Sequence, residues 1–224
     1  MRWVSARILG GVSGITTSTA PWYASRATGV IALLLMTAVV LLGLLVARNG
    51  KLPGMPRFAV TGLHRNLSLT AVAFVALHVL TAIADSYVSI PLTATFIPLA
   101  SGYERLALGL GAVSLDLALA VIVTSLVRSR LNPKAWRAIH LLAYVSWPVA
   151  WLHSFTSATD MRHGWMLMLA IADLLLVVAA VLWRVAAAAR DIPRAERVGA
   201  LMAAARKSPV RRPADHGRTP AGPR

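Results

Sequence analysis

Four of the six histidines stand in segments otherwise almost wholly apolar: His64 and His78 in "LHRNLSLTAVAFVALHVL", and His140 and His153 in "WRAIHLLAYVSWPVAWLHS". Imidazole is the commonest metal ligand among side chains, and a buried one needs a partner. On helices rising 1.5 Å per residue, His64 and His78 lie about 21 Å apart, and His140 and His153 about 19.5 Å. One metal ion cannot bridge either pair. Two sites are required, each offered two imidazoles. Structural zinc takes four protein ligands and catalytic zinc usually three, with no cysteine in the chain and no nearby glutamate to complete the set. A haem asks only for its two axial positions, so two bis-histidine b-type haems fit the count.

The elements that must hold these residues are membrane helices. The chain has 224 residues, 57% of them hydrophobic, with a mean hydropathy of +0.66, outside the range of soluble globular domains. Five windows are long and apolar enough to cross a hydrocarbon core of about 30 Å: 28–47, 66–84, 106–127, 138–159 and 165–183. The expected fold is an all-α integral membrane bundle of about five helices. Residues 1–25 read as a loop or interfacial segment, 26–187 as the bundle and 188–224 as a basic, disordered tail.

Charge placement orients the bundle. Residues 48–65, 128–137 and 184–224 carry eighteen of the twenty-three Lys and Arg. By the positive-inside rule the N-terminus lies outside and the C-terminus in the cytoplasm. This distribution accounts for the formal charge of +15 without nucleic acid. The second and fourth spans then run the same way, so their depths compare directly. His64 beside Arg65 and His140 three residues after Arg137 fall near the cytoplasmic boundary. His78, seven residues before Asp85, and His153, seven before Asp160, fall in the outer leaflet. The pairs matched in depth are therefore His64/His140 and His78/His153.

Helical phase supports one half of this arrangement and challenges the other. Fourteen residues return His78 to within roughly 40° of His64, whereas thirteen leave His153 about 140° from His140. Pro148 stands between the latter two, and the spacing predicts a distortion near Ser146–Pro148. Asp116 and Asp173, each alone in a span, are costly at membrane depth. Their open readings are a bond to a ligand's free ring nitrogen, a shared proton, or acceptance from Ser114 or Thr124. His163 reads as an exposed loop residue and the one candidate for a contact at the outer face; His216 reads as incidental. Trp136, Tyr144, Trp147, Trp151 and Phe155 suit packing against a porphyrin and equally plain helix packing.

The stretches "SRATGV", "LHRN", "ALHVL", "WRAIHLLAY" and "WLHS" resemble the ferric reductase-like transmembrane domain, shared by NADPH oxidases, ferric reductases and the haem subunit of the periplasmic methionine sulfoxide reductase system. The resemblance covers roughly residues 22–185. It implies two haems between helices with ligands at this 14/13 spacing, and it gives Arg26 a propionate of the outer haem as partner. Arg65 and Arg137 are placed to serve the inner haem's propionates, and as inside-loop charges they need no special role. Two departures from NADPH oxidases, a further N-terminal helix and a fused flavin- and nicotinamide-binding domain, imply an electron conduit rather than a self-sufficient oxidase. No Gly-rich phosphate loop is present, and the tail is too short for a nucleotide domain. The resemblance thus implies a bacterial inner-membrane cytochrome b. Its donor would be a separate flavoprotein or quinol, and its acceptor ferric iron, a flavin-bearing domain or a periplasmic reductase. A homo- or hetero-oligomer could complete the bundle. The alternatives are a single-haem quinol-linked subunit and a non-redox transporter or scaffold.

Overall fold

The structure, a computed structural model, describes residues 19–47, 54–85 and 90–207, with the backbone alone for 191–201 and 203–207. Among the described residues it is helical without strands: α1 (Ala20–Ala47), α2 (Arg57–Ala84), a short α3 (Leu92–Phe96), α4 (Arg105–Leu126), α5 (Pro133–His140), α6 (Ala143–Ser157) and α7 (Gly164–Lys207). Single 3₁₀ turns occupy Arg128–Arg130 and Thr159–Arg162. The chain divides into two compact units, Met1–Val181 and Leu182–Arg224. The first holds every residue of the candidate site. In the second the described part is the end of α7, which from residue 188 onward lies in the segment read as a tail; residues 1–18 and 208–224, His216 among them, lie outside the described residues.

Among the described residues four helices are long and apolar enough to cross a bilayer: Ala20–Ala47, Arg57–Ala84, Arg105–Leu126 and the Gly164–Arg190 part of α7. Their hydroxyls are satisfied within the helix, as a hydrocarbon solvent demands. Thr28 donates to the Ala24 carbonyl at 2.6 Å, Thr81 to Leu77 at 2.7 Å and Ser68 to His64 at 2.7 Å. The remaining apolar segment comes in two pieces. Asn132 caps α5, accepting from the Lys134 amide at 2.8 Å, and Pro133 follows at the first helical position, where its missing N–H costs nothing. Leu141 and Leu142 then form a turn before α6 begins.

That turn corrects the expected position of the distortion. Pro148 lies inside α6 without ending it, and the irregularity sits one turn upstream. The amides of Leu142, Tyr144 and Val145 donate to carbonyls three residues back, those of Ile139, Leu141 and Leu142. The physical reason is that a proline ring crowds the carbonyl four residues before it, here that of Tyr144, so its effect falls on the preceding turn. Three-residue turns advance about 120° per residue rather than 100°, which swings His153 toward the face of His140.

Helix α1 packs along α2, α4 along α6, and α1 also meets α6. Two clusters join α1, α6 and α7: Leu33, Ala150, Met161 and Ala170, and then Val40, Leu44, Trp147 and Val177. Polar links pin the same helices, with Trp147 Nε1 donating to Thr37 Oγ1 at 2.7 Å, Trp151 Nε1 to the Ala170 carbonyl at 3.0 Å and Ser146 Oγ to the Ser114 carbonyl at 2.9 Å. By contrast, α2 and α6 are not among the closely packed helix pairs. The space between them is where the histidines meet.

Candidate functional site

His64 and His78 project from α2 toward His140, the last residue of α5, and His153 on α6. The His78 and His153 rings have centroids 6.2 Å apart with planes at 68°. The His64 and His140 rings stand 6.5 Å apart at 71°. These separations suit one intervening metal each: two metal–nitrogen bonds of about 2 Å and two nitrogen-to-centre distances of about 1.1 Å set collinear imidazole centroids roughly 6.2 Å apart. Among the described residues no three His, Cys, Asp or Glu side chains gather around one point. A centre here would have two protein ligands, which is the donor set that a macrocycle completes and a bare zinc ion does not.

The way each ring is seated follows from glycines. His78 Nδ1 lies 2.8 Å from the Ser25 carbonyl on α1, and a carbonyl only accepts, so Nδ1 carries the proton and Nε2 is left with its lone pair free. The Ser25 hydroxyl is 3.4 Å from the same nitrogen. Four residues on is Gly29, where a Cβ would come within 2.9 Å of His78 Nδ1. The pattern repeats on α4. His153 Nδ1 lies 2.8 Å from the Ala107 carbonyl, and a Cβ on Gly111, four residues later, would come within 2.8 Å of the ring. Such contacts are closer than side-chain carbons tolerate, so only glycine leaves room for an imidazole against the helix backbone.

The other pair is seated differently. Gly43 faces His64, but a Cβ there would meet the ring at an ordinary 3.5 Å. The Val39 carbonyl, four residues before it, is the backbone neighbour of His64, whose buried Nδ1 makes no hydrogen bond of normal geometry. His140 Nδ1 is buried with no partner. Its ring stacks instead on Trp136, with centroids 4.9 Å apart and planes at 24°, and the Arg128 guanidinium lies 4.3 Å over that indole.

Between α1, α2, α4 and α6 a cavity of about 130 Å³, partly open to the surroundings, reaches the second pair. Its wall includes His78, His153, Gly29, Gly111, Val75 and Leu115. Apolar walls with two convergent nitrogen donors are the chemistry of a cofactor cleft.

The other residues singled out from sequence lie as follows. Arg26 forms an ion pair with Asp160 at 2.5 Å and stacks over Trp22 at 4.3 Å. Arg65 and Arg137 are exposed and enter no ion pair among the described residues. Ser114 and Thr124 donate to the Gly111 and Ala120 carbonyls, not to an aspartate. Asp116 is half-buried on α4. Asp173 is buried with a hydrogen bond to Thr37, and its Oδ2 has no partner. Thr37 Oγ1 also lies 3.0 Å from the Leu33 carbonyl and accepts from Trp147. His163 is exposed, with Nδ1 3.1 Å from the Thr159 carbonyl. Trp151 and Phe155 stack on each other at 5.1 Å. Gly29, Gly43 and Gly111 were not legible as site residues from composition. Yet Gly29 and Gly43 repeat, on α1, the fourteen-residue interval between His64 and His78 on α2.

Residues 28–151 match the family model of the ferric reductase like transmembrane component. That stretch is more than half of the chain and includes His64, His78 and His140; it stops two residues before His153. The chain therefore belongs to the ferric reductase-like transmembrane family, and it is an integral membrane protein of a redox family. Neither the curated proteins nor the solved structures include a match to it.

Proposed function

We propose that this protein is a b-type cytochrome subunit carrying electrons across the membrane between two haems, one held by His64 and His140, the other by His78 and His153. The observation that carries the reading is the equal spacing of the two imidazole pairs, 6.5 and 6.2 Å, across a gap between α2 and the α5–α6 segment. Glycine-seated rings with the proton on Nδ1, which leaves the Nε2 lone pair free, support it at the second pair. When bound, a haem supplies one-electron chemistry at its iron. The chain's own residues hold the imidazoles at set depths, exclude water with apolar walls and set the potentials through hydrogen bonds and nearby charge.

The charge asymmetry supports a cytoplasmic C-terminus, placing His64/His140 nearer the cytoplasm of a bacterial inner membrane. A separate flavoprotein or quinol donates there, and ferric iron, a flavin-bearing domain or a periplasmic reductase accepts at the other face. Arg26 reaches a propionate of the outer haem by leaving Asp160, while Arg65 and Arg137 serve the inner one. A single-haem protein is the second reading, favoured by the cavity and the formed Nδ1 bonds both lying at His78/His153.

The test is an absorption spectrum of purified, dithionite-reduced protein with haem measured as the pyridine haemochrome. Two haems per chain are expected. A ratio near one selects the single-haem reading, and a colourless folded protein overturns both in favour of a non-redox transporter or scaffold.

A further inference from the structure

We propose that Arg128, acting through the Trp136 indole, makes the His64/His140 site the higher-potential of the two. This rests on the two-haem reading above. Two independent differences between the pairs point the same way. The first is charge. Arg128 lies 4.3 Å over Trp136, whose ring is in turn stacked 4.9 Å from His140, so a permanent cation is held at a fixed offset from the ligand. Adding one electron to an iron–imidazole unit lowers its positive charge by one, and a cation held nearby favours that change. At the opposite end Arg26 also lies over an indole, but that ring, Trp22, packs edge-on to Tyr23 rather than onto a histidine.

The second difference is hydrogen bonding. His78 and His153 each give Nδ1–H to a carbonyl at 2.8 Å, which makes the imidazole a stronger electron donor and favours the oxidised metal. His140 makes no such bond and His64 none of normal geometry. Arg128 is itself exposed, as are Arg65, Arg130, Lys134 and Arg137 at the same end, and what sets it apart is its anchorage over the indole that stacks on His140. Arg128 is therefore a positioning residue whose influence travels through a stacked ring rather than by touching the cofactor. The consequence is that an electron shared between the sites resides mainly at His64/His140.

Potentiometric titration of the purified holoprotein, followed in the reduced absorption band, tests this. Two one-electron components are expected. Arg128→Gln should lower the higher one by about tenfold in its reduction equilibrium, 59 mV for one electron, and leave the lower in place. Arg128→Lys and Arg130→Gln should hold it within about threefold. Repeating the pair in a His78→Ala background, where one haem remains, assigns the shifted component to the His64/His140 site. If both haems are bound and Arg128→Gln moves neither midpoint, moves both equally or removes a haem, the inference fails while the two-haem reading stands. If no haem is bound, that reading fails first and takes this inference with it.

Discussion

At one level of the bundle two imidazoles are pressed against glycines and tied to carbonyls at 2.8 Å; at the other, two imidazoles of nearly the same separation have no well-formed tie to the backbone. The spacing across the gap is thus common to both pairs, and the support behind it is not. The first level is fixed by backbone geometry, through Ser25 with Gly29 and Ala107 with Gly111. The second is fixed by side-chain stacking, through Trp136 and Arg128. Backbone seats are rigid and directional, while a stacked ring can slide. The contrast teaches that two imidazole pairs of nearly one spacing can be held by different means in one bundle, and so can differ in rigidity.

The largest test of that contrast removes a ligand outright. His153→Ala should take the haem content from two per chain to one and leave the His64/His140 spectrum unchanged, measured by haemochrome assay on purified protein. Next in size is the effect of a single methyl group. Gly111→Ala or Gly29→Ala places a carbon within 2.8 or 2.9 Å of a ring, and overpacking of this kind costs about 1–3 kcal/mol. Haem affinity at that level should fall about tenfold to a hundredfold in a titration of the haem-free protein. Gly43→Ala, with its 3.5 Å contact, should stay within about threefold, a difference that separates the seated pair from the stacked one.

A smaller effect, shared by both levels, is expected where α1, α6 and α7 are pinned between them. Thr37→Val keeps the shape but strands Trp147 Nε1 and the Asp173 carboxyl, costing about 1–3 kcal/mol in a thermal melt in detergent with no preference for either haem. Smallest of all is Asp160→Asn. The Arg26–Asp160 pair is only half-buried, with side-chain exposures of 27% and 53%, and pairs of this kind contribute about 0–1 kcal/mol. Its melting point should barely move and the absorption bands should not.

The pairing of the four histidines and most of the spans were legible because imidazoles in an apolar segment and lipid each demand particular residue types. No aliphatic side chain can stand in for a histidine, and no run of charges can occupy the core of a bilayer. The support behind the ligands was far less legible. Carbonyl acceptors belong to the backbone, so Ser25 and Ala107 carry no signature of their role. Glycine in an apolar helix announces only a missing side chain, although the interval from Gly29 to Gly43 was there to be matched with that from His64 to His78. Pro148 signalled a distortion, yet the three-residue hydrogen bonds fall at Leu142–Val145, because the crowded carbonyl lies a turn before the ring. Trp136 read as one aromatic among several, since stacking on His140 depends on how α5 ends.

The equal intervals on α1 and α2 also make this pair of helices intolerant of changes in chain length. One residue inserted between Gly29 and Gly43 would rotate one recess by about 100° relative to the other and shift it by about 1.5 Å, leaving one imidazole facing a side chain. Exchanges of one aliphatic residue for another in that stretch should pass unnoticed, whereas insertions and deletions should not.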